Sequence, residues 1–157
     1  MRTFSRVVGM LLYDTASGKK IGRITDFCIE EPGIVKGLLI DGKGMFHRTK
    51  FLRYETIHSI GEDGVMAKDP KLSPVIKEHG KIYFHHYHGI KGKSFITSEG
   101  DKLGLLEDVY FEEKTGTIVG YEVTDGFFAD IAEGKKIIKN PSDLIIGKDT
   151  VVVSVLT

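Results

Sequence analysis

The stretch Lys20-Ile21-Gly22-Arg23-Ile24-Thr25-Asp26-Phe27-Cys28-Ile29-Glu30 returns 82 residues later as Lys102-Leu103-Gly104-Leu105-Leu106-Glu107-Asp108-Val109-Tyr110-Phe111-Glu112. In both copies a branched apolar residue precedes a glycine, an aspartate follows four residues on, and the tail alternates Phe27 and Ile29, or Val109 and Phe111, with other residues. That alternation is the period of a half-buried strand. Upstream, Ser17-Gly18 and Glu99-Gly100 stand between apolar runs as turns, where glycine supplies the positive φ of a tight hairpin. Downstream, Ile34 to Ile40 and Thr117 to Val123 read as the next strand of each copy, with Gly37 and Gly120 in mid-strand. A glycine there marks a bulge or a sharp bend. Asp41-Gly42 and Asp125-Gly126 then close those strands with a turn.

The repetition continues outward. Lys50-Phe51-Leu52-Arg53 matches Lys136-Ile137-Ile138-Lys139, and Ile60-Gly61 matches Ile146-Gly147, now at a spacing of 86. The slip falls in a loop near residues 126 to 135, where an insertion is tolerated. Val65 to Ala67 and Val151 to Leu156 read as closing strands, and Val7 to Tyr13 as an opening one. Many short strands at regular spacing predict an all-β chain of two small antiparallel barrels or rolls. The expected domains are residues 1–67 and 90–157, with 68–89 as linker. Units of about 65 residues bury only about 60% of their extended surface, so the halves are expected to pack on each other. In the linker, Ser73-Pro74 reads as a helix N-cap followed by proline, with Gly80 past the end, predicting one or two helical turns over Pro74 to His79. Asn140 to Asp143 offers a similar turn.

The doubled pattern, with Ile21-Gly22 and Asp26 recurring as Leu103-Gly104 and Asp108, a mid-strand glycine, and Ile-Gly-x-Asp before the closing strand, resembles the PRC-barrel family. That family includes the photosynthetic reaction-centre H subunit and the C-terminal domain of a ribosome maturation factor. The resemblance covers Val7 to Ala67 and Ile90 to Val153. It implies a six-stranded β-barrel-like domain that serves as an interaction module without known catalytic residues. It is most similar to small stand-alone bacterial members with two tandem copies. The membrane helix of the reaction-centre subunit and the RNA-associated N-terminal domain of the ribosome factor have no counterpart in these residues, so neither of those roles is expected to transfer.

Composition narrows the function. Lys+Arg 22 balances Asp+Glu 22, a net charge of zero that argues against a dedicated duplex-DNA binder. No apolar run approaches the roughly 18 to 20 residues of a membrane span. A single cysteine, Cys28, excludes an intrachain disulfide and a multi-cysteine metal site, and fits a cytoplasmic setting. It lacks a neighbouring base, so burial is the expected role rather than nucleophilic chemistry.

Four histidines, His79, His85, His86 and His88, lie within ten residues and are the candidate metal ligands. On an alternating strand, His86 and His88 would share a face with His85 opposite, and two ligands do not close a site. The preferred reading is a polar, aromatic strand or linker sealing the seam between the halves, with no metal or other cofactor; a pH response of clustered imidazoles is the other reading. Asp26 and Asp108, at equivalent positions, are expected to accept backbone N–H groups where both strands bend rather than to form a catalytic pair. Lys43, Arg48, Lys50 and Arg53 with Phe46 and Phe51 form a basic aromatic stretch able to track single-stranded RNA.

The favoured function is therefore a non-enzymatic protein-interaction or scaffold module, with Phe127 and Phe128 as exposed apolar contacts and another protein as partner. The alternative is RNA or ribosome association through Lys50, Arg53 and their neighbours. Exposed strand edges also offer a route to a homodimer.

Overall fold

A computed structural model describes residues 1–30, 33–42, 48–76, 82–125, 136–139 and 143–154. Strands predominate among the described residues, with almost no helix. The first copy contributes β1 (Arg2–Thr3), the short helix α1 (Phe4–Val7), β2 (Leu11–Asp14), β3 (Lys20–Glu30), β4 (Ile34–Gly42), β5 (Thr49–Arg53), β6 (Ile57–Ile60) and β7 (Gly64–Ala67). Two small connecting strands follow, β8 (Ser73–Pro74) and β9 (Ile82–Tyr83). The second copy supplies β10 (Ser94–Thr97), β11 (Lys102–Glu112), β12 (Thr117–Thr124), β13 (Lys136–Lys139), β14 (Asp143–Ile146) and β15 (Thr150–Ser154).

Duplication is visible in the pairing as well as in the letters. Within the first copy the neighbours run β5-β4-β3-β2-β7-β6, and within the second β13-β12-β11-β10-β15-β14. The expected all-β pair of small, mainly antiparallel barrels or rolls is what forms, with two refinements. β2 lies parallel to β7 and β10 parallel to β15, and among the described residues the hydrogen-bonded path runs open from β14 to β6. Irregularities recur in step: register shifts between Ile24 and Asp26 and between Cys28 and Ile29 match those between Leu106 and Asp108 and between Tyr110 and Phe111.

The mid-strand glycines sit beside those shifts. Gly37 lies opposite Cys28 and Gly120 opposite Tyr110. A Cβ on Gly37 would come within 2.4 Å of the Leu52 carbonyl oxygen and 2.4 Å of the Phe51 ring. The strand can cross β5 this closely only because the side chain is missing. Gly37→Ala is expected to destabilise the protein by about 2 kcal/mol, read as a lowered midpoint in urea. An unchanged midpoint would show that the wall relaxes freely.

The opening strand is shorter than the sequence suggests. Val7 belongs to α1, and the chain turns at Gly9, whose φ is +100°, before β2 begins at Leu11. Ser73 and Pro74 do not start a helix. They are extended and pair with Phe51 and Lys50, an edge position that tolerates a residue with no N–H. Residues 77–80, the remainder of the predicted turn, lie outside the described residues, as do residues 140–142 and 155–157.

The halves meet through reciprocal exchange. β1, from the first copy, pairs with β11 of the second, as Arg2 with Phe111 and Thr3 with Tyr110. β9, which precedes the second copy, pairs with β3 of the first, as Ile82 with Ile29 and Tyr83 with Cys28. Between them Ile34 pairs with Thr117, its own repeat equivalent. On either side Val35 N–H donates to the Gly116 carbonyl at 2.7 Å, and Ile118 N–H donates to the Gly33 carbonyl at 2.8 Å. These are the contacts of a twofold pseudodimer written in one chain. One continuous core results, with Phe4, Phe27, Phe84 and Phe111 fully buried together. Phe4 stacks on Phe27 at 3.9 Å between ring centres and meets Phe84 and Phe111 at 5.3 Å each.

Candidate functional site

The register shift at Thr25 turns the Asp26 carboxylate out of the β3 ladder and into the seam, where it is fully buried. Its Oδ1 accepts the N–H of Phe27 at 2.8 Å and of His85 at 2.9 Å. Its Oδ2 accepts the N–H of His86 at 2.8 Å and lies 2.7 Å from His86 Nδ1. A carboxylate facing Nδ1 places the imidazole proton on that nitrogen and leaves Nε2 turned away. Asp108 does the same for the other half. Its Oδ1 accepts from Val109 N–H at 2.9 Å and Ser5 N–H at 3.1 Å, and its Oδ2 accepts from the Ser5 hydroxyl. Each aspartate thus clasps the segment that follows the other half's exchanged strand. The carboxylates accept backbone N–H groups where the strands bend, as the sequence predicts, but the partners come from across the seam.

The histidines are arranged differently from the predicted strand. β9 ends at Tyr83, and the chain then turns, with Tyr87 at φ +51° and His88 at φ +57°. Left-handed residues cannot continue a ladder, so His86 and His88 do not share a strand face. His85 is exposed, its imidazole packs edge-on against Phe84, and desolvation lowers its pKa against the opposing pull of Asp26. His86 is bound to Asp26 with its side chain 40% exposed. His79 lies outside the described residues. Among the described residues no group of three or more His, Cys, Asp or Glu is placed to hold a metal ion.

Other named residues separate. Cys28 is buried against Leu39, Phe51 and Tyr83, and burial beside that thiol raises the Tyr83 pKa. Phe51 is turned into this cluster, which removes it as a platform for base stacking. Lys50 is half-buried, and Arg53 is exposed and ion-paired with Glu55 at 3.2 Å. Lys43, Phe46, Phe127 and Phe128 lie outside the described residues. Sequence reading missed Ser5 and Glu113. Glu113 pairs with Arg2, its carbonyl accepts the Tyr54 hydroxyl, and clefts of about 360 and 270 Å³ open on either side of it. Tyr54 is held neutral by burial and by the nearby Glu113 and Glu112 charges. Nothing local in Glu113 signals this, because its partners come from sites more than fifty residues away.

The PRC-barrel domain family matches residues 1–73 and again residues 84–157. The chain belongs to the PRC-barrel domain family. The second PRC-barrel match begins at Phe84, earlier than Ile90, and takes in the residues that Asp26 clasps. A Bacillus subtilis (strain 168) relative, named Uncharacterized protein YrrD, is 34% identical over 158 residues, covering 98% of this chain and 88% of its own length. No helix among the described residues is long and apolar enough to cross a membrane.

Proposed function

We propose that this PRC-barrel pair is a non-enzymatic protein-interaction module of the cytoplasm. The observation that carries the reading is the engagement of both repeated aspartates, and of the imidazole nearest them, in holding one half to the other. Asp26, Asp108 and His86 are thereby committed to the seam. Of the two aromatics of the RNA alternative, Phe51 is turned into the core and Phe46 lies outside the described residues, while Arg53 already faces Glu55.

Co-purification of the native protein at low and high salt, with and without nuclease, tests the proposal. A protein partner retained in high salt and after nuclease treatment is the expected result. A bound fraction consisting of RNA and lost on nuclease treatment would replace this reading with the ribosome-associated one.

A further inference from the structure

Among the described residues the pseudo-twofold arrangement is broken at one edge. In the first half, the outer edge of β5 is covered by β8, with Lys50 opposite Pro74 and Phe51 opposite Ser73. Val75, just beyond, packs on the cluster of Cys28, Leu39, Phe51 and Tyr83. The repeat equivalent of β5 is β13, which among the described residues pairs only with β12. Phe51 is 9% exposed, whereas its equivalent Ile137 is 45% exposed. Beside Ile137 on this face stands Glu122, the equivalent of Leu39, which accepts the Tyr110 hydroxyl at 2.9 Å.

Charge points to the occupant. Arg53 has Glu55 as its counterion, but the residue at the equivalent place after Lys139 is Pro141. Lys139 is exposed, on the same side of the strand as Ile137. Resting on the interaction reading above, we infer that β13 receives an extended, acidic and apolar segment of a partner protein. It adds as an antiparallel strand, sets a branched side chain on Ile137 and a carboxylate against Lys139. The first half displays the geometry in its own β5–β8 pair, and strand addition of this kind draws affinity from main-chain hydrogen bonds and specificity from alternate side chains.

The probe is the synthetic peptide Pro-Glu-Leu-Val-Pro-Val-Ile, which is residues 70–76 with Lys71→Glu and Ser73→Val. Titrated into the full chain, it is expected to shift the backbone amide resonances of residues 136–139 and leave those of β5 in place. Ile137→Asp should weaken binding about tenfold. Lys139→Glu should weaken it similarly, and a peptide with Lys restored at its second position should recover the loss. Both residues are exposed, and unchanged amide spectra elsewhere would verify the fold of each variant.

Three results would overturn the inference: no shift with the peptide, binding indifferent to both substitutions, or a single-stranded oligouridine that moves the same amides and displaces the peptide. Should the native protein partner still co-purify with the Ile137→Asp chain, this surface is wrong while the interaction reading stands. Failure of the wild-type chain to retain any protein would remove that reading and this inference with it.

Discussion

Cut after Ile76 and separated, the two halves are expected to lose cooperative melting and the near-ultraviolet signature of packed aromatics, and to regain both as a one-to-one complex on mixing. The reason is the exchange of opening segments. The first half alone would lose β9 from the edge of β3, the buried Tyr83 and Phe84, and the two backbone donors that satisfy Asp26. The second would lose β1, Phe4 and the Ser5 donors to Asp108. Burying one large apolar side chain contributes about 1.5–3 kcal/mol, so two or three withdrawn from a half remove roughly 5 kcal/mol. That is comparable to the whole stability of a small domain, which lies at the low end of about 5–15 kcal/mol. Phe4→Ala in the intact chain is the milder version, because one ring touches Phe27, Phe84 and Phe111 together. Its expected cost is about 3–5 kcal/mol. A monomeric half that melts cooperatively by itself, established by sedimentation and circular dichroism, would show that the seam is an accessory contact.

The parts of this fold legible in the sequence are those that depend on local rules. A strand of period two, a glycine at positive φ in a hairpin and a glycine under a crossing strand all leave their mark within a few residues. Gly18, Gly100 and Gly37 are of this kind. The exchanged strands left no such mark. β1 and β9 are two residues long, too short for any alternation, and their place is decided by Phe4 and Phe84 entering a core assembled from both halves. Ser73-Pro74 satisfies the local chemistry of a helix start and of a strand edge equally, and the β5 edge decides between them. His85 to His88 fits a polar, aromatic strand or a linker equally by sequence, and the contacts of Asp26 with the backbone of His85 and His86 accompany a turn instead of a continued strand. Their equivalent places in the repeat mark the aspartates as structural. Only the folded chain shows that each one holds the opposite half.

Asp26→Ala is expected to be the most damaging single polar substitution in the molecule. The carboxylate is fully buried and takes three backbone N–H groups and one imidazole N–H. Removing it deprives all four at once, and loss of a buried charged acceptor costs about 3–5 kcal/mol. In a chain of this length that corresponds to a midpoint lowered by about 10 °C. His86→Ala removes one donor and leaves the three backbone groups in place, so about 1 kcal/mol is expected. The double variant should then cost less than the two single losses added together, because the imidazole has nothing further to lose once the carboxylate is absent. Ser5→Ala provides the control across the pseudo-twofold axis: it removes the hydroxyl from Asp108 but keeps the Ser5 N–H, and it should resemble His86→Ala. These variants also separate a structural carboxylate from a catalytic one. A structural clasp predicts that partner binding survives in proportion to the folded fraction at each temperature. If Asp26→Ala melts as the parent does while its partner binding disappears, the carboxylate acts at a contact surface, and the seam is held by the aromatic core without it.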